Sequence, residues 1–205
     1  MFKWLLSLTL AVSAFAQYKA EPAGAPPSEL NPAIAATLQK QGTKVLGPSG
    51  PVAEIWFRST VPEGPKTAET AVTFTNVPHG SLMGAIRFTN PGTDRRGQAI
   101  KPGVYTMRFS MFPQNGDHQG VEPQRDFLLL VPAAGDSDPA ATYEFKPLTA
   151  MSMKASGTPH PAVFSIWKAE SGFEAGLSQL GEDWVLQTKV GDVPIAMIVV
   201  GVSMH

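Results

Sequence analysis

The chain has 205 residues, 16 Lys and Arg against 17 Asp and Glu, and no cysteine. A near-neutral balance without Lys/Arg runs gives no reason to expect nucleic-acid binding or an electrostatic hold on a membrane surface. Without cysteine there are no disulfides, no thiol catalysis and no thiolate metal sites, so an apolar core must carry the fold; a domain of this size hides roughly 70% of its unfolded surface.

Residues 1–16 read as a cleavable signal peptide. Lys3 supplies the positive end, the apolar stretch from Trp4 to Val12 follows, and Ala14 and Ala16 place small residues before Gln17. That stretch is shorter than the roughly 20 residues that span a bilayer, and the last apolar run, 195–202, is shorter still. The expectation is an exported bacterial protein, periplasmic or extracellular, with no transmembrane segment after cleavage. Its mature part carries a net charge of −2 (15 − 17), because Lys3 is the one charge in the leader.

Residues 17–30 are rich in Pro, Ala and Gly and read as a flexible lead-in. Residues 31–42 read as a short helix. Asn31 is the candidate N-cap, Pro32 suits the first turn, Ile34 and Leu38 share a face, and Gly42 stands where a helix-ending glycine would.

From residue 43 onward the period becomes two. In 104–111, Tyr105, Met107, Phe109 and Met111 fall on one face and Val104, Thr106, Arg108 and Ser110 on the other. Similar runs occur at 52–58, 70–76, 82–89, 162–168, 184–190 and 195–203. The continuous apolar run 126–131 predicts a strand covered on both faces. Turn clusters at 47–51, 90–92 and 101–103 separate these runs, and residues 149–156 predict a turn or two of helix before Gly157. The step Pro102–Gly103–Val104–Tyr105 predicts a tight turn into a strand with Tyr105 near a corner. The fold class that follows is mainly β, an immunoglobulin-like or jelly-roll β-sandwich over residues 43–205 with a short N-terminal helix.

Chemistry concentrates in two loops. Residues 113–132 carry Asp117, His118, Glu122, Arg125 and Asp126 beside an Asn115–Gly116 turn, and residues 156–161 hold His160 between two prolines. His118 can serve as a base or metal ligand oriented by Asp117 or Asp126. If His160 meets it, His118, His160 and Asp117 form a divalent-metal site. The plainer reading ties the first loop by an Arg125–Asp126 salt bridge, leaves His118 exposed, and makes the prolines around His160 strand breakers.

The blocks at 102–106, 116–121, 125–130 and 156–163 resemble a group of uncharacterised secreted bacterial β-rich proteins over about the central third of the chain. The resemblance brings no activity with it. It implies that both histidine loops belong to one design, which points to Asp117, His118, Arg125, Asp126 and His160 as binding candidates.

Other motifs fail on geometry or spacing. Ser165 and Lys168 have the Ser-x-x-Lys spacing, but on a strand they face opposite ways. Gly-x-Ser-x-Gly, His-Glu-x-x-His and a phosphate-binding Gly loop are absent from the sequence. Met151, Met153, Met204 and His205 are soft ligands, which keeps copper handling open; Met107, Met111 and Met197 read as core filler. Trp56 shares its parity with Glu54 and Arg58, so it faces away from Ile55 and Phe57, either as a stacking platform or as packing. With no catalytic arrangement surviving, the expected function is a non-catalytic binding or envelope-associated protein with a glycan, peptide or envelope-protein ligand. The alternative is a metal-dependent, hydrolytic site on the two histidine loops.

Overall fold

The computed structural model describes residues 18–112, 125–169 and 173–201. Its strands are β1 (Lys19–Gly24), β2 (Gly42–Gly47), β3 (Gly50–Phe57), β4 (Leu82–Phe88), β5 (Gly92–Thr93), β6 (Ala99–Ile100), β7 (Gly103–Met111), β8 (Asp126–Pro132), β9 (Val163–Lys168), β10 (Gly176–Leu180), β11 (Asp183–Val190) and β12 (Val193–Val200). Two α-helices are described, α1 (Pro32–Ala35) and α2 (Phe145–Ser156), together with one 3-10 turn at Ala133–Gly135.

The fold is mainly β, as the alternation implies. Hydrogen bonding runs without a break through ten antiparallel strands in the order β1-β2-β3-β4-β7-β8-β9-β12-β11-β10, with β5 and β6 as a separate ribbon. Turn spacing alone suggests two facing sheets, but here one ladder continues around the core. Its edge strands lie side by side: β1 runs along β10, and the Tyr18 ring rests 5.1 Å from that of Trp184. No ladder register joins these two strands among the described residues.

Inward side chains from both halves of the sheet fill a single core. Ile55, Ile86, Met107, Leu128, Phe164 and Met197 all belong to it. The segment 70–76, expected as a strand, instead crosses one end of the sheet and inserts Phe74 as a plug; its ring meets Phe109 edge-on at 5.7 Å. A barrel leaves open ends, so an alternating run can serve as a stopper as well as a wall.

The outer face is also covered. Leu128 and Leu130 point inward while Phe127, Leu129 and Val131 lie under α2, so the run 126–131 is enclosed on both sides as its composition implies. Tyr105 donates its hydroxyl to the Lys101 carbonyl at 2.8 Å, closing the corner expected there.

Three expectations at the N-terminus need correction. Residues 19–24, expected within a flexible lead-in, pair with β2 as an edge strand, where the missing N–H of Pro22 costs little. The helix expected over 31–42 is real at its cap, where Asn31 Oδ1 accepts from the Ala33 amide at 2.9 Å, but its regular turns end at Ala35. Gly42 does not end that helix. It opens β2, and a Cβ there would collide with the Trp56 indole.

Trp56 does face outward, as its parity implies, yet it is fully buried under the N-terminal segment against Leu30, Ile34, Leu38 and Leu82. Its indole N–H donates to the Gly24 carbonyl at 2.8 Å. No helix among the described residues is long and apolar enough to cross a membrane.

Candidate functional site

Of the two histidine loops, the candidates Asp117, His118 and Glu122 lie outside the described residues. Arg125 does not pair with Asp126. Its guanidinium donates to the Phe112 carbonyl at 2.5 and 3.0 Å, to the Thr70 carbonyl, and to Glu69 at 3.0 Å. It fastens the plug segment to the end of β7, which is a structural task. Met204 and His205 are likewise outside the described residues.

Asp126 turns inward with Leu128 and is fully buried. One oxygen accepts the Thr73 amide at 2.5 Å and the Thr73 hydroxyl at 2.7 Å, while the other finds no partner among the described residues. Burial pushes its carboxyl above the usual carboxylate range, against the opposing pull of Thr73, Phe74 and Arg125. His160 sits on the outer surface beyond α2, exposed, so the structure does not bring it together with Asp126. Among the described residues, no group of three His, Asp or Glu could hold a metal ion.

What surrounds His160 is a groove. Gly157 ends α2 with φ +69 and an amide bond to the Met153 carbonyl at 2.8 Å. The loop that follows is pinned by hydroxyls: Ser156 and Thr158 both donate to the His160 carbonyl, at 2.6 and 3.1 Å. It is also tied to the β5–β6 ribbon, where Arg96 and Gln98 donate to the Pro161 carbonyl at 2.5 and 3.0 Å. Buried Asp94 anchors that ribbon by accepting from the Arg96 and Gln98 amides and from the Arg96 guanidinium.

Between α2 and the outer face of β8 and β9 lies a cavity of about 240 Å3. Phe145, Thr149 and Met153 recur every four residues and so form one wall, while Leu148, Ser152 and Ala155 pack the helix down. Phe127, Leu129 and Val163 make the floor. The Phe112 and Phe127 rings meet at 4.3 Å, tilted by 32°, at one end, and Arg96 and His160 stand at the other. Thr149 Oγ1 is buried and has no hydrogen-bond partner among the described residues.

A larger cavity of about 490 Å3 opens at the end of the barrel, lined by Tyr18, the turn 47–52, Phe88 and residues 90–93. Turn backbone dominates it, and no charged side chain lines it. The smaller groove is the better candidate because apolar walls and a few convergent polar groups are what a ligand site needs.

Sequence reasoning found His160 but missed the groove. The signal was available: Phe145, Thr149 and Met153 share a helical face, and Pro147 is tolerated in a first turn that needs no amide there. Starting the helix at 149 hid that face. His79 carries no comparable signal in the sequence. Its Nδ1 lies 2.8 Å from the Tyr143 carbonyl and its Nε2 2.8 Å from the Ser110 hydroxyl, both nitrogens serving to bind loops together.

Comparison with protein-family models, with curated proteins and with solved structures finds no match to this chain. The function therefore rests on the geometry above.

Proposed function

We propose that this is an exported, non-catalytic binding protein whose ligand lies in the groove between α2 and the outer face of β8 and β9. One observation carries the reading: among the described residues, a cavity walled by Phe127, Leu129, Met153 and Val163 is met by just two polar, charge-bearing side chains, Arg96 and His160.

Among the described residues, neither Thr149 Oγ1 nor the His160 imidazole makes a hydrogen bond, so no hydroxyl–base pair is assembled in the groove there. Trp56, the strongest candidate for a sugar-stacking platform, is enclosed. Export follows from the leader-like residues 1–16 and their small-residue cleavage step at Ala16.

Two measurements test this. Methionine-methyl NMR during a screen of ring-sized compounds should show the Met153 methyl moving while the core methyls of Met83 and Met197 stay put. Compounds that instead perturb Val199 and Tyr18 would place the site at the barrel end. For export, the protein recovered from outside the inner membrane should begin at Gln17; an intact Met1 on that material would defeat the leader reading.

A further inference from the structure

The two ends of the groove differ in chemistry, and from this we infer that its ligand is a small monocarboxylic acid carrying one ring or a short chain. The inference rests on the groove being the ligand site. The carboxylate belongs at Arg96 and the apolar part on Phe127, Leu129 and Met153.

Size comes first. An apolar cavity of about 150 Å3 accommodates benzene, and pockets for drug-sized ligands begin near about 300 Å3. A volume of about 240 Å3 therefore suits one ring, or a chain of a few carbons, with a small polar head.

Polarity then fixes the direction. Arg96 spends its Nε and Nη2 on Asp94, at 3.2 and 2.7 Å, and Nη2 also on the Pro161 carbonyl. Its Nη1 makes no hydrogen bond among the described residues, and Arg96 lines the groove on a guanidinium locked by the other two nitrogens. One N–H of that nitrogen can donate a charge-assisted hydrogen bond to one carboxylate oxygen.

Charge favours an anion over a neutral amide. Asp94 balances Arg96, but among the described residues Lys101 lies beside Gly157 and α2 carries Lys146 and Lys154, against Glu144 at its start. A phosphate fits less well, because its three oxygens would find too few donors here.

The probes are benzoate and hexanoate, each beside its neutral amide, titrated into the purified protein while the Met153 methyl and the calorimetric binding heat are followed. At least one acid should bind, and its amide should bind about tenfold more weakly, the difference one charge-assisted hydrogen bond supplies. Met153→Trp should fill the groove and abolish binding. An amide that binds as well as its acid overturns the carboxylate inference while leaving the groove as a ligand site. If neither acid nor amide moves the Met153 methyl at about 10 mM, the groove itself is refuted.

Discussion

Arg108 and Asp136 face each other through two parallel hydrogen bonds, Nη2 to Oδ1 at 2.6 Å and Nε to Oδ2 at 2.8 Å, and neither side chain is exposed. The remaining Arg108 donors go to the carbonyls of Gly80, Ala141 and Asp138, so all five are used. Asp136 also accepts the Thr106 hydroxyl at 2.5 Å, and the Tyr143 ring lies 4.8 Å over the guanidinium. This saturation marks Arg108 as the clamp that holds residues 133–143 against the outer face of β7. It leaves nothing free for a ligand.

Removing Asp136 should therefore be severe. Asp136→Ala leaves a buried guanidinium charge without its partner, which costs about 3–5 kcal/mol and lowers Tm by roughly 6–20 °C in a domain of this size. Buried ion pairs are often replaced by apolar residues without loss. Here the double change Arg108→Met, Asp136→Leu should not recover stability, because the carbonyls of Gly80, Asp138 and Ala141 would remain unpaired. Thermal melts of the single and double variants decide it, and a double variant as stable as the parent would disprove the clamp.

His79 is held from both sides by groups that fix its tautomer. A carbonyl can only accept, so Nδ1 must carry the proton toward Tyr143, and in the neutral ring Nε2 accepts from the Ser110 hydroxyl. Nitrogen-15 NMR of the imidazole near neutral pH should report the Nδ1–H form. Observation of the Nε2–H form in the neutral ring would mean the contact to Tyr143 is not made.

Much of the strand framework is legible from the chain alone, because period-two alternation in 104–111 and the apolar run at 126–131 follow directly from which faces are buried. Three features are not legible. Arg108 reads as the solvent side of a half-buried strand, since alternation says which face a residue takes and not what later covers it. The segment around Phe74 reads as strand because a stopper and a wall share the same local pattern. Gly42 reads as a helix end, although its reason is the Trp56 indole contributed by β3. Of the site, His160 stood out by its flanking prolines, while the unmet hydroxyl of Thr149 depends on neighbours that only the fold assembles.

Gly42 gives a direct check on that last kind of contact. A methyl group at this position meets the indole nitrogen and its neighbouring ring atoms, and the enclosed Trp56 has no room to retreat. Gly42→Ala should cost about 1–3 kcal/mol, an overpacking penalty, and lower Tm by roughly 2–12 °C. In a Trp56→Phe background the same substitution should cost clearly less, since the clashing nitrogen is gone and directly touching residues couple. Equal costs in both backgrounds would show that the glycine is required for some other reason.

Asp126 makes a pH-dependent burden inside the core. Its carboxyl titrates above the usual carboxylate range in the folded protein because it is buried, with one oxygen unpaired and only Thr73 bonded to the other. In the unfolded chain it ionises near about 3.9. Below that value both states hold the proton and the group imposes no ionisation penalty. As pH rises through the folded-state value, the folded protein must either retain a proton that the unfolded chain has released or ionise a desolvated group, and stability falls. Asp126→Asn keeps an oxygen acceptor for Thr73 and removes the titration. The Tm of the parent minus that of the variant should therefore decrease as pH is raised from about 4 to about 8, with any constant offset reflecting the packing of the amide. A difference that stays flat across that range, or that grows with pH, would show that Asp126 carries its charge in the folded state without penalty.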